Sequence, residues 1–305
     1  MYAYAVRRLL GAVPTILAVI VIAFFMIRLA PGGPFDSERA VPPEIAANLA
    51  GAYHLDEPLG DQFVRYLGNV LAGDFGPSFR YKDYSVTELL WSGFPVSAQL
   101  GISAMVLAVL LGTAAGAYAA VRRNTIVDGG IMALAMTGIA VPNFVVAPLL
   151  TLVLGVYLSL LPVGGWGGLS HAVLPVVALA LPQVAYVARL TRGSMLEVLR
   201  ADFIRTARAK GLGARRIVTR HALRAALLPV VSYLGPATAA IITGSVVIEQ
   251  IFGLPGIGRY FVQGALNRDY TLVMGVVIFY AILILLFNLV VDLLYPLIDP
   301  RVRYD

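Results

Sequence analysis

The sequence predicts an all-α, polytopic membrane protein with six transmembrane helices, and three observations carry that prediction. Apolar runs of about 18 residues or more recur along the chain, each long enough to cross a hydrocarbon core of about 30 Å at 1.5 Å per helical residue. Of its 305 residues 59% are apolar and 13% are charged, against about 25% charged in soluble domains. The Lys and Arg residues cluster in the segments between alternate runs. Six spans take up about half the chain, which leaves no room for a large aqueous catalytic domain. There is no cysteine, so disulfides, thiolate metal sites and cysteine nucleophiles are all absent.

The first run, Leu9 to Ile27, follows Arg7 and Arg8 and has the look of a signal peptide. It reads instead as a retained helix: it is long for a signal core, and it exits through Arg28-Leu29-Ala30-Pro31. The next runs are Ala98 to Val121, Gly129 to Leu150 with a tail to Leu161, Ala172 to Ala188, Leu227 to Ile251, and Thr271 to Leu294. Gly112 and Gly116 form a small-xxx-small pair that lets another helix approach the second span. Pro142 and Pro148 interrupt the third span, and Pro175 and Pro182 the fourth. Each removes an N–H donor and lets the helix bend. Such breaks either line a pathway or are simply tolerated in a bilayer.

Orientation follows from the basic residues, which stay on the cytoplasmic side in short loops. With the N-terminus inside, the cytoplasmic segments hold 15 of the 23 Lys and Arg residues. The outer segments hold Arg39, Arg65, Arg80, Lys82, Arg259 and Arg268 alongside ten carboxylates. Both termini are therefore expected to be cytoplasmic. The expected organisation is a tip and first helix (1–30), an extracytoplasmic helical segment (31–97), a five-helix core (98–295) and a cytoplasmic tail (296–305).

In the outer segment, Pro42-Pro43 can start a short helix through Tyr53. Leu59, Phe63, Tyr66, Leu67, Val70 and Leu71 then share one helical face before Gly73 ends it. This predicts a small helical cap on the membrane domain. Asp74-Phe75-Gly76 spells the kinase magnesium triplet without the other kinase elements, and reads as coincidence.

The cytoplasmic segment 191–226 carries nine basic residues against Glu197 and Asp202. Leu196, Leu199, Phe203 and Ala207 repeat at helical spacing, Gly211 is placed as a cap, and a second stretch starts at Ala214. Two short amphipathic helices joined at Gly211-Leu212-Gly213 are expected. They suit anionic lipid headgroups or a soluble partner that docks there.

No phosphate-binding P-loop occurs, so the chain is not expected to hydrolyse ATP unaided. Ion-driven carriers usually hold ionisable residues at mid-membrane depth, whereas here Arg28, Arg189, Glu249 and Asp292 all fall near span ends. Glu249 reads as a carboxylate at the outer interface, with a role in a pathway as the alternative. The histidines His54, His171 and His221 are scattered, and no span places one beside Ser194 or Ser245 as a base. Catalysis within the chain is not expected, nor is a metal or cofactor bound by it.

Arg205-Thr206-Ala207-Arg208-Ala209-Lys210-Gly211, with His221-Ala222-Leu223-Arg224 and Leu227-Leu228-Pro229, resembles the cytoplasmic loop of permease subunits of binding-protein-dependent ABC importers. The likeness extends through Asp74-Phe75-Gly76-Pro77-Ser78-Phe79, Tyr81-Lys82-Asp83-Tyr84-Ser85-Val86, Thr191-Arg192-Gly193-Ser194-Met195, Gly253-Leu254-Pro255-Gly256-Ile257-Gly258 and Ala265-Leu266-Asn267-Arg268-Asp269-Tyr270. The chain is most similar to the first membrane subunit of the oligopeptide and dipeptide branch. Arg205 stands where the general loop has Glu, and Thr206 where it has Ala, as in that branch.

The resemblance implies half of a peptide pathway in a bacterial inner membrane. It also implies a second six-helix permease subunit, two cytoplasmic ATPase subunits that carry ATP and Mg, an extracytoplasmic peptide-binding protein, surrounding lipid, and no nucleic acid. Ala201, Phe203, Arg205, Thr206, Ala207, Lys210, Gly211, Leu212 and Gly213 would form the ATPase-coupling loop. Asp74, Tyr81, Lys82, Arg259, Asn267, Arg268 and Asp269 would face the binding protein. An ion-coupled carrier and the nickel- or glutathione-type importers of the same architecture are the alternatives.

Overall fold

A computed structural model describes residues 2–29, 51 and 53–298. The expected helix at Pro42-Pro43 and the tail from 299 lie outside the described residues. Among these, helix dominates, and the only β-type pairing is an isolated bridge between Pro77 and Ser85.

Helix α1 spans Tyr2–Arg28. Helix α2, Leu59–Leu71, lies against its outer end, where Phe63 packs on Phe24 and Phe25 at ring separations of 5.3 and 5.6 Å. Phe63, Tyr66, Leu67 and Val70 face this contact as expected. Leu59 and Leu71 instead are exposed, because the stripe drifts off the contact at both helix ends.

Helix α3 spans Val86–Val121, 36 residues, and begins twelve residues before the expected Ala98. Its start is a reciprocal capping box between Ser85 and Glu88, which satisfies two orphan backbone donors. The expected boundary at residue 97 thus falls inside a helix, with Pro95 accommodated within it.

The third apolar run is not one rod. Helix α4 (Ile126–Ala140) and helix α5 (Asn143–Leu150), which continues as π-helical turns Thr151–Tyr157, meet at a bend of 101°. Val141 is extended, as the ring of Pro142 requires of the residue before it. By contrast, Pro175 and Pro182 lie inside one continuous 30-residue helix α6, Leu169–Val198; they do not break it. Among the described residues, five helices are long and apolar enough to span a bilayer, and six if the bent pair is a single span.

Helix α6 ends at the basic segment, where helix α7 covers Asp202–Ala209. Three short helical pieces follow: Ala214–Arg216, π-helical Ile217–Ala222, and Leu223–Ala226. Helices α8 (Leu228–Gly244) and α9 (Val246–Ile251) make the next span, α10 covers Ile257–Leu266, and α11 covers Tyr270–Ile298.

Small residues weld α3 to α6. A Cβ on Gly112 would sit 2.7 Å from Val187 Cβ, and one on Gly116 would sit 2.3 Å from the Ala188 carbonyl oxygen. The small-xxx-small pair is therefore a real contact, because dispersion between backbones replaces the hydrophobic drive that lipid does not supply. Among the described residues, three buried clusters follow one another along the molecule. One sits under α2 at one end, one in the middle around Leu100 and Leu174, and one at the opposite end around Met195 and Ile204.

Candidate functional site

The two ends of the molecule carry the chemistry. At the end that carries the basic segment, the residues expected to form one helix are divided. Leu196 belongs to α6 and Leu199 to its end, a turn follows through Ala201, and Phe203 opens α7. The face buried by α7 is Ile204 and Ala207, not Phe203. Ile204 is fully buried and packs with Met195 of α6, Ala120 of α3 and Ile217, whereas Phe203 is 50% exposed. An aromatic side chain is thus presented outward from a helix whose opposite face is anchored.

Gly211 has φ +77 and follows the last turn of α7. Its N–H donates to the Arg208 carbonyl at 2.9 Å, and the Leu212 N–H reaches the Ala207 carbonyl at 3.3 Å. This left-handed closure satisfies carbonyls at the helix end and favours glycine. Arg205, Thr206, Lys210, Gly211 and Gly213 are exposed, while Ala201 and Leu212 are half-buried. Arg123, Arg200, Arg205 and Arg208 converge on one cavity of about 390 Å³ between α7 and the ends of α3 and α6.

Just above, Arg192 of α6 makes a bidentate pair with Asp128 of α4, both contacts at 2.7 Å. Asp128 is 4% exposed and also accepts the Asn124 N–H at 2.9 Å. A carboxylate buried this deeply needs such pairing. The pair joins the bent third span to α6.

At the opposite end, the loop 74–85 folds over α10 and the start of α11. The triplet Asp74-Phe75-Gly76 is a turn, with Asp74 Oδ1 accepting the Gly76 N–H at 2.8 Å while Phe75 is buried. The Asp269 side chain is not a surface group. At 1% exposure, its oxygens accept from Ser78 Oγ at 2.5 Å, Thr271 Oγ1 at 3.1 Å, and the N–H groups of Arg80 and Leu272 at 3.2 Å each. It ties loop 74–85 to α11. The Tyr81 hydroxyl donates to Gln263, and its ring meets Tyr260 edge-on at 5.8 Å. Burial pushes the Tyr81 hydroxyl up from the usual phenol range, only partly offset by Arg259. Asp74, Lys82, Asn267 and Arg268 are exposed, and Arg259 is half-buried beside Tyr260.

Glu249 departs from its expected place. It is fully buried rather than reaching an interface, because neighbouring elements supply it with hydrogen-bond donors. The sequence signal that marks it is the pair Gly256 and Gly258 shortly downstream, which leaves room for its carboxylate. A polar group inside the spans also escaped the sequence reading. Tyr233 of α8 donates to Gln183 of α6 at 2.5 Å, beside Tyr186 with Arg189 over its ring. Among the described residues, no cluster of three or more His, Asp or Glu side chains could hold a metal.

Residues 112–304 match the family described as binding-protein-dependent transport system inner membrane component. Across 306 aligned residues the chain is 57% identical to the oligopeptide transport system permease protein OppB of Escherichia coli (strain K12), covering 100% of both. It is 45% identical to the dipeptide transport system permease protein DppB of Bacillus subtilis (strain 168), covering 98% of this chain and 97% of that one. Among solved structures, an inward-facing form of the MetNI methionine ABC transporter superposes with TM-score 0.60 at 18% identity, over 69% of this chain and 96% of that one. That last likeness concerns the fold alone. With a family match over residues 112–304 and identity running the full length, the chain belongs to the binding-protein-dependent transport system inner membrane components, as a multi-pass permease subunit of the bacterial inner membrane.

Proposed function

We propose that this chain forms one half of the pathway of an ATP-driven peptide importer. A second six-helix permease subunit completes the pathway, two cytoplasmic ABC ATPase subunits hold ATP and Mg, and an extracytoplasmic protein delivers the peptide. The names of the relatives in both branches, oligopeptide and dipeptide, support peptide over nickel or glutathione. Both termini are cytoplasmic in this reading, as the basic residues require.

The observation that carries the mechanism is the anchoring of α7. Phe203, Arg205, Thr206 and Lys210 project outward, whereas Ile204 and Ala207 seat the helix on Met195 and Ala120. An ATPase that grips the outward face moves α7, and the buried face passes that motion to α6 and α3. Because those two helices are in backbone contact at Gly112 and Gly116, they move as one body. Close-packed interfaces favour such discrete shifts over continuous deformation. At the other end, Asp74, Lys82, Arg259, Asn267 and Arg268 offer charged and polar groups to the binding protein, with Tyr81 and Asp269 bracing them from beneath.

The test uses the assembled complex in proteoliposomes. Phe203→Asp and Gly211→Asp should bring ATP hydrolysis stimulated by peptide-loaded binding protein down to the basal rate and stop uptake of a labelled tripeptide. Unchanged stimulation with intact uptake overturns the coupling role. Competition by unlabelled tripeptide but not by nickel or glutathione is expected, and the reverse overturns the peptide assignment.

A further inference from the structure

Glu249 is a buried carboxylate that the coupling scheme above leaves unused. Among the described residues no basic side chain pairs with it, so hydrogen bonds alone must offset its desolvation. Three donors do so. Ser97 Oγ of α3 and Ser245 Oγ at the α8–α9 junction donate to Oε1 at 2.7 and 2.6 Å, and the Gly258 N–H donates to Oε2 at 2.8 Å. The last donor lies in the first turn of α10, where free N–H groups and the helix dipole favour negative charge. Ser97 Oγ also accepts the Ile257 N–H at 3.0 Å, so one side chain of α3 holds both the carboxylate and the start of α10.

The backbone is cut to fit this arrangement. A Cβ on Gly256 would lie 2.3 Å from Glu249 Oε2, and one on Gly258 would lie 2.5 Å from Val246 Cα. Gly93 sits one helical turn before Ser97, and a Cβ there would come within 3.0 Å of the Gly256 and Ile257 backbone. The loop 253–258 is therefore pressed against a single turn of α3 with the carboxylate as its fastening.

What the fastening holds is the outer face. Helix α10 carries Arg259, Tyr260 and Gln263; Tyr260 lies 3.2 Å from Ser92 Oγ and against Tyr81, and Gln263 meets the Tyr81 hydroxyl. Helix α3, to which they are fastened, runs about 35 Å from Ser97 to Ala120, which packs in the same cytoplasmic cluster as Ile204 of α7. We propose that Glu249 is a positioning residue for transport: its carboxylate locks α10 and its docking face to α3, so that arrival of the binding protein is felt as a load on the helix that reaches the ATPase-facing end. This deepens the function proposed above, and rests on its placement of the binding protein at the outer face.

The experiment reconstitutes the whole complex with Glu249→Gln, Ser97→Ala and the double variant. Glu249→Gln keeps the shape but presents an N–H₂ either to the Gly258 N–H or to the two serines. The concentration of loaded binding protein giving half-maximal ATPase stimulation should rise about tenfold, the size of one lost charge-assisted hydrogen bond, with the maximal stimulated rate changed less than about twofold. Ser97→Ala should shift it in the same direction, and the double variant by less than the product of the two.

Because the chain has no cysteine, Trp91→Cys on α3 and Leu266→Cys at the end of α10, both exposed, accept spin labels directly. The distance distribution between them should broaden in both single variants. An unbroadened distance, or a broadened one with an unshifted half-maximal concentration, overturns the proposal, as does an equal fall in maximal rate alone. Leu266→Cys carrying a photocrosslinker separates the two readings. A crosslink to the binding protein with no Glu249 effect overturns the clamp alone, whereas no crosslink in the otherwise wild-type complex overturns the docking reading and the clamp's role with it.

Discussion

At Gly112 the space for a side chain is already taken: Val187 Cβ and the Val184 carbonyl oxygen lie 2.7 and 2.8 Å from where a Cβ would stand. Gly112→Leu must push α6 away from α3, and overpacking of this kind costs about 1–3 kcal/mol. The thermal midpoint of the detergent-purified complex should fall. Gly130→Leu, whose Cβ position has nothing within 4 Å, should leave it unchanged. Gly211 is constrained differently, by φ +77 with open space around it. Gly211→Asn should retain more stimulated ATP hydrolysis than Gly211→Val, because Asn tolerates the left-handed region while a β-branched residue is strained by about 1–2 kcal/mol. Single residues also show what a sequence conceals. Asp269 and Lys82 look equally suited to a docking face, yet one braces a loop from inside and the other is exposed. Burial depends on neighbours far along the chain, here Ser78.

Between elements, the Arg192–Asp128 pair decides how the bent third span sits on α6. Arg192→Met leaves a buried carboxylate without its partner, which is worse than replacing both groups. The thermal midpoint should therefore fall further for Arg192→Met than for Arg192→Met combined with Asp128→Leu; equal shifts would mean the pair is solvated. The first turn of α3 is held by the Ser85–Glu88 box, and Ser85→Ala should cost about 1 kcal/mol. Faster hydrogen exchange confined to residues 86–90 checks it. The span positions were legible because an apolar run of membrane length has few other uses. The ends were not. Helix α3 starts at Val86 and α6 continues to Val198, since polar residues carry a helix past the apolar run once a cap or a packed neighbour supports them. Prolines were equally ambiguous: Pro142 marks a 101° bend, while Pro175 and Pro182 pass without a break.

Across the whole molecule, charge asymmetry and the two working ends belong together. Labelling with a membrane-impermeant maleimide should reach Lys82→Cys and Leu266→Cys in intact spheroplasts, and Arg208→Cys and Arg216→Cys only after permeabilisation. The opposite pattern overturns the proposed orientation. The sequence by itself determined that this is a helical, multi-pass inner-membrane protein of the importer family, through apolar run length and motifs spread over the chain. It also marked out the basic segment 191–226 and its glycine closure at Gly211. The tertiary structure alone decided which face of α7 is anchored and which is exposed, that Asp269 and Glu249 are internal fastenings, and that α3 links the clusters at the two ends of the molecule. The physical reason is that apolar length and local backbone preference are properties of contiguous residues. The environment of a carboxylate or an aromatic ring is set by donors and surfaces that only folding brings beside it.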